Sequence, residues 1–266
     1  MSVKCIEVIN KMKELAPPQL AERWDNIGLL VGDSNMRVEK ILISLDATKD
    51  VVDEAISNEV DMILTHHPII FKGVKHINTS TVIGRKLIKL IKNDICVYSA
   101  HTNLDSAREG LSVLLADKLK LNDSDILVPN NNFDVLDLCG TGRIGYLEEM
   151  TLEELSHYVK SKLDLESVRV TGNLDKKIKK VAVSPGSSME FAETAYKNGA
   201  DVYITGDIKY HDAMDYQEKG MALIDAGHFG TENIVLPMFE QYIKKCFGEQ
   251  LQIITSKINK DPFIIK

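Results

Sequence analysis

Two kinds of hydrophobic spacing take turns along the chain from Lys40 onward. Short apolar runs such as Ile41-Leu42-Ile43 and Met62-Ile63-Leu64 are separated by stretches whose apolar positions recur every three or four residues. The runs read as buried strands and the stretches as helices packed by one face. The spacing predicts strand 40–45, helix 49–59, strand 61–65, helix 79–92, strand 95–99 and helix 106–120. Strands alternating with helices of this length imply parallel strands joined by right-handed crossovers and covered on both faces. Upstream, Val3, Ile6, Ile9, Met12 and Leu15 share a helical face over 3–15, and Pro17-Pro18 ends that helix for want of amide hydrogens. Residues 20–33 predict an extended segment, Ile27-Gly28-Leu29-Leu30-Val31-Gly32, with Trp24 before it as a core or interface anchor in preference to a stacking platform.

The polar stretch 123–137, with Pro129 and three consecutive asparagines, marks the expected domain boundary. It divides the chain into a first α/β domain, 1–125 with 225–266, and a second, 126–224. Beyond it, Gly140-Thr141-Gly142-Arg143-Ile144-Gly145 reads as turn glycines, and Thr151-x-x-Glu154 has the form of a capping box. The pattern then recurs. Adding 140 to Lys40, Ser44, Ala55, Asn58, Asp61 and Thr65 gives Lys180, Ser184, Ala195, Asn198, Asp201 and Thr205. The unit is either duplicated or convergent. The fold class expected is α/β, two similar domains with mainly parallel sheets flanked by helices.

A formal charge of −7 argues against a general nucleic-acid surface. No apolar run approaches the roughly 20 residues that cross a bilayer, and the N-terminus lacks a signal-peptide core, so a cytoplasmic protein is expected. Cys5, Cys96, Cys139 and Cys246 are scattered without C-x-x-C spacing, which removes zinc-thiolate and disulfide frameworks from consideration. Any metal here needs imidazole and carboxylate ligands.

Those ligands stand where a parallel sheet gathers its chemistry, beyond the carboxyl ends of strands. His66-His67-Pro68 follows the strand at 61–65, and Ala100-His101-Thr102-Asn103-Leu104-Asp105 follows the one at 95–99. Ala226-Gly227-His228 with Glu232 repeats the His-x-x-x-carboxylate spacing at an offset of 127. His66, His67, Asp105, His228 and Glu232, with His101 beside them, exceed the needs of one tetrahedral ion. They suit two divalent ions, zinc, iron, manganese or similar, roughly 3.5–4 Å apart with a bridging carboxylate. A hydrogen-bonded cluster without metal is the bland alternative. In the second copy Thr205-Gly206-Asp207 replaces Thr65-His66-His67, and His211 follows four residues later. Asp207 and His211 are candidates for a general acid and base or for holding a ligand in place; a helix cap and an exposed histidine would look the same. Ser184-Pro185-Gly186-Ser187-Ser188, with Glu190 as a capping-box partner, is a weaker candidate for anion binding.

Taken together, Thr65-His66-His67-Pro68, Ser99 through Asp105, Gly142-Arg143-Ile144-Gly145, Thr205-Gly206-Asp207 through His211, and Asp225-Ala226-Gly227-His228 through Glu232 resemble the NIF-three-like family, whose members carry the name GTP cyclohydrolase 1 type 2. The resemblance implies a two-metal site of His66, His67, Asp105, His228 and Glu232, with Glu232 bridging and His101 close by. It implies a ring-shaped homohexamer, and hydrolytic opening of the guanine imidazole ring of GTP or a related nucleotide with release of formate. A hexameric metal-binding scaffold or regulatory protein without that activity is the competing expectation. Membrane and nucleic-acid partners are not expected.

Overall fold

The computed structural model describes residues 3–130 and 139–266. Residues 131–138, which include the end of the polar break, lie outside the described residues. The chain divides into two units, Met1–Leu104 with Val235–Lys260 and Asp105–Ile234 with Asp261–Lys266. Residues 105–125, 225–234 and 261–266, expected in the first domain, therefore belong to the second unit. The reason is local: Leu115, Ala116 and Leu119 pack into the core around Val181, Val202 and Ile224, and the strand Asn122–Pro129 pairs with Gly140–Thr151.

The first unit holds a five-stranded sheet in the order Gln252–Thr255, Lys40–Ser44, Met62–Thr65, Cys96–Ser99, Gly28–Val31. The first three pairings are parallel and the last antiparallel. Every residue of the strands Met62–Thr65 and Cys96–Ser99 is buried, as expected of strands covered on both faces. The helix Lys49–Ser57 starts where the Thr48 hydroxyl accepts from the Val51 amide, and Val82–Lys92 starts likewise at Thr81. Their apolar faces, with Val51, Val52, Ala55, Leu87 and Leu90, close over the sheet.

The second unit holds a six-stranded sheet in the order Asn122–Pro129, Gly140–Thr151, Lys177–Val183, Val202–Thr205, Ala222–Asp225, Arg169–Thr171. Its two central pairings, Lys177–Val183 with Val202–Thr205 and Val202–Thr205 with Ala222–Asp225, are parallel, but the three outer ones are antiparallel, so this sheet is mixed and not mainly parallel as expected. The helix expected over 106–120 is confined to Leu111–Lys118, opened by Gly110, with a separate helical turn Thr102–Asp105 before it. The glycines 140, 142 and 145 are not in a turn but within the long strand Gly140–Thr151. They admit the neighbouring strand: a Cβ on Gly140 would stand 2.4 Å from the Val128 carbonyl, and one on Gly145 2.8 Å from that of Asn122. Among the described residues no helix is long and apolar enough to cross a membrane.

The repeat is reproduced in hydrogen bonds. Asp61 Oδ2 accepts from the amides of Glu39 and Lys40 at 2.8 and 2.9 Å, and Asp201 Oδ2 from those of Lys179 and Lys180 at 2.9 and 2.8 Å. Lys40 Nζ donates to the Asn58 carbonyl and Lys180 Nζ to that of Asn198. The amide of Cys96 donates to the Asp61 carbonyl, and that of Ala222 to the Asp201 carbonyl. Such a shared arrangement of side chains favours duplication over convergence. Asp61→Ala and Asp201→Ala each leave two amides without their acceptor, so chemical denaturation should show similar losses, about 1–3 kcal/mol each. A large loss for one variant and none for the other would contradict the equivalence.

Candidate metal centre

In the first unit three imidazoles converge. His66 and His67 follow the strand Met62–Thr65, and His101 follows Cys96–Ser99, its parallel neighbour. The rings of His66 and His67 lie 5.0 Å apart, His66 and His101 5.2 Å, and His67 and His101 5.5 Å between centroids. One potential ligand atom from each falls within 4.8 Å of the others.

Each ring is held through Nδ1. His66, fully buried, faces the Ala100 carbonyl at 2.8 Å; His67 faces Asp46 Oδ1 at 3.0 Å; His101 faces Asp25 Oδ1 at 2.9 Å. An imidazole that donates Nδ1–H to an oxygen carries its lone pair on Nε2 when neutral, the arrangement by which carbonyls and carboxylates orient metal-ligating histidines. The donor set fits a divalent transition-metal ion: three borderline-soft nitrogens, each ring fixed by an oxygen acceptor.

Asp25 is tied in further. Its carboxylate also accepts from the amide and hydroxyl of Thr102 at 3.1 and 2.5 Å and from the Asn26 amide at 2.8 Å. Burial pushes this carboxyl up, but the hydrogen bond and charge of His101, then Thr102 and Asn26, overcome that and hold it at about 2. A carboxyl held below its unfolded value, about 3.9, stabilises the fold above about pH 4 and loses that contribution as pH falls toward 2. Asp25→Asn should remove this acid-side slope in metal-free protein and weaken metal binding about 10- to 100-fold, as losing an outer partner does. Acid denaturation and a competitive chelator titration check the two parts; unchanged affinity would deny Asp25 the orienting role.

The second unit assembles a different set. His228 and Glu232 share the helical segment His228–Glu232, and His228 Nε2 lies 3.1 Å from Glu232 Oε2. His228 Nδ1 meets Asp207 Oδ2 at 2.8 Å. The repeat explains the exchange: position 206, the counterpart of His66, is glycine, and Asp207 stands in the place of His67. A Cβ at Gly206 would come within 2.7 Å of the His228 amide nitrogen, so a histidine does not fit there. Asp207 has a positive φ of 55°, a conformation that aspartate tolerates better than most residues. Asp225, at the end of its strand, fixes the neighbourhood by accepting from the amides of Ile208 and Gly227 at 3.0 Å and by pairing with Arg169.

Asp105 ends the helical turn Thr102–Asp105, half-buried, four residues after His101 as Glu232 is after His228. His211 is exposed in the first turn of the helix Tyr210–Glu218, its ring edge-on to Tyr210 at 5.3 Å. The Ser184–Ser188 loop makes no capping box: Ser188 Oγ donates to the Pro185 carbonyl, and the helix Ala192–Lys197 is short. Gly186 backs onto Glu232, an acid that would oppose an anion there. Asp46 and Asp25 escaped the sequence reading. Asp46 stood in reach of it, two residues past the strand Lys40–Ser44 and so beside the end of its parallel neighbour.

Residues 3–262 match the family described as Duf34/NIF3 (NGG1p interacting factor 3). A Clostridium acetobutylicum protein named GTP cyclohydrolase 1 type 2 homolog is 43% identical over all of both chains. A Clostridium perfringens protein of the same name is 42% identical over 98% of this chain and 99% of its own. Among solved structures, the Staphylococcus aureus hypothetical protein SA1388 superposes with a TM-score of 0.90 at 31% identity over all of both chains. Reduced HcgD from Methanocaldococcus jannaschii gives 0.83 at 32% identity, covering 97% of this chain and 99% of that one.

Proposed function

Because this chain belongs to the Duf34/NIF3 family, we propose that it is a metal-dependent hydrolase of the GTP cyclohydrolase 1 type 2 kind, opening the imidazole ring of GTP or a related nucleotide. The observation that carries the reading is the set of three converging imidazoles, each oriented by an oxygen at Nδ1. Structural histidines need no such common orientation; ligands of a reactive ion do.

In this reading His66, His67, His101, Asp105, His228 and Glu232 hold two divalent ions per chain. When bound, such ions supply Lewis acidity toward the substrate. Asp46, Asp25 and Asp207 keep His67, His101 and His228 in the tautomer that ligates. His211, exposed in the first turn of its helix, is the proton carrier, taking a proton from water and returning one to the opened ring. The protein acts in the cytoplasm as a homohexamer on a small-molecule substrate.

The test is formate release from GTP by gently purified protein whose metal content has been measured by elemental analysis. Turnover should vanish on chelation and return with the metals found, and His211→Ala should flatten one limb of the pH profile. Protein carrying two metals per chain that releases no formate from GTP would overturn the GTP reading.

A further inference from the structure

The sequence reading placed Trp24 in a core or an interface, and the structure holds it 58% exposed, with Phe71 50% exposed beside it. Their ring centroids are 5.7 Å apart with the planes at 54°. Both rings stand edge-on to the same metal-ligand candidate, His101, at 6.1 and 6.4 Å. Leaving two large aromatic faces in water forfeits hydrophobic stabilisation, so their position calls for a partner.

Nor is the loop a loose one. Asp25, next to Trp24, is pinned to His101 and Thr102, and the amide of Glu22 donates to Thr102 Oγ1 at 2.9 Å. Asn26 Nδ2 donates to the Ile70 carbonyl at 2.6 Å, tying this loop to the residue before Phe71. The hydrogen bonds that orient a ligand imidazole therefore also present two aromatic faces to solvent. In sequence, Arg23 precedes Trp24 and Lys72 follows Phe71, both exposed. The half-open recess beside His67, lined by Asp46, Thr48, Pro68 and Lys86, holds only about 100 Å³, short of the roughly 300 Å³ at which small-molecule pockets begin.

We propose that Trp24 and Phe71 form the recognition face of the His66-His67-His101 cluster, on which a planar heteroaromatic ring with an anionic substituent stacks. That the ring belongs to the substrate rests on the hydrolase reading; that it binds does not. The stack holds the ring beside His101, and the basic neighbours attract the anion.

Trp24 is the only tryptophan of this sequence, so emission excited selectively in tryptophan, beyond the absorption of its eight tyrosines, reports on this face alone. Guanosine monophosphate is titrated against ribose 5-phosphate, which keeps the anion and lacks the ring. The expected result is saturable quenching by the nucleotide alone. By equilibrium dialysis, Phe71→Ala and Trp24→Ala should weaken nucleotide binding about tenfold or more, with metal content unchanged and Trp24→Phe largely retaining affinity. Equal competition by ribose 5-phosphate, or affinity indifferent to Phe71→Ala, would overturn the proposal. So would emission of a buried indole that turns to that of an exposed one as the oligomer is diluted apart, which would make this face a contact between copies. Binding is read without turnover: nucleotide that stacks but yields no formate sinks only the cyclohydrolase reading, and formate release unaffected by Phe71→Ala sinks only this one.

Discussion

His66→Ala is expected to empty the histidine cluster of metal while leaving the protein folded. His66 is fully buried at the end of a strand with no exposed residue, and its Nδ1 is anchored on the Ala100 carbonyl. Of the three imidazoles it has the least freedom to be replaced by water or by a neighbour. If the three nitrogens ligate an ion, losing one of them should therefore exceed the roughly 10- to 100-fold penalty of losing an outer partner. Elemental analysis after dialysis against a weak chelator should find the ion gone, and the activity proposed above should fall at least in proportion. The Ala100 carbonyl loses one acceptor role, yet the sheet pairings on both sides of Thr65 run through backbone groups that the substitution does not touch. Far-ultraviolet circular dichroism should accordingly stay native. Full metal occupancy in the variant would show that the three imidazoles are a hydrogen-bonded group and not a binding site.

The ordering of effects within the cluster is itself informative. Asp25→Asn keeps every ligand and disturbs only tautomer and orientation, so it should fall short of His66→Ala. If the two variants lost metal equally, the cluster would be responding to unfolding of the loop and not to ligand chemistry. The loop carrying Trp24 hangs on the same carboxylate, which makes fluorescence of Asp25→Asn a direct check on that distinction.

What could be read from residues was what repeats or alternates. The apolar runs at 41–43 and 62–64 marked their strands to within a residue or two, because a buried parallel strand leaves no polar position to confuse the pattern. The offset of 140 pointed to a second unit whose Asp201 bonds repeat those of Asp61. Contacts between distant segments were not legible. Asp25 meets His101 across 76 residues of sequence, and nothing local distinguishes it from any loop aspartate. Trp24 lies outside the core for a related reason: composition says that tryptophan is costly in water, and only coordinates show one held at the surface by its neighbours' hydrogen bonds. The glycines 140, 142 and 145 looked like turn residues because glycine serves both turns and tight strand contacts, and spacing alone does not separate these uses.

Gly186→Ala should damage the His228 and Glu232 pair far more than it damages the fold. The residue sits at φ +60°, and a Cβ there would lie 2.2 Å from Glu232 Oε1, 3.2 Å from its Cδ and 3.5 Å from His228 Nε2. The backbone has little room to retreat, since its amide donates to Thr231 Oγ1 at 2.9 Å and its carbonyl accepts from the Gly206 amide at 2.8 Å and from Thr205 Oγ1 at 3.0 Å. Glu232 must move instead, and it is 3% exposed. Moving the tip of one side chain costs little energy beyond the roughly 1–2 kcal/mol of left-handed backbone strain, but a ligand displaced by about 1 Å no longer serves its ion. Gly199→Ala separates the two contributions: φ is +74° there and nothing lies within 4 Å of the added carbon. Both variants should lose similar stability on denaturation, while only Gly186→Ala loses metal and activity. On the two-metal reading, in which Glu232 bridges, its content should drop below two ions per chain. Equal metal retention by the two variants would remove Glu232 from the ligand set.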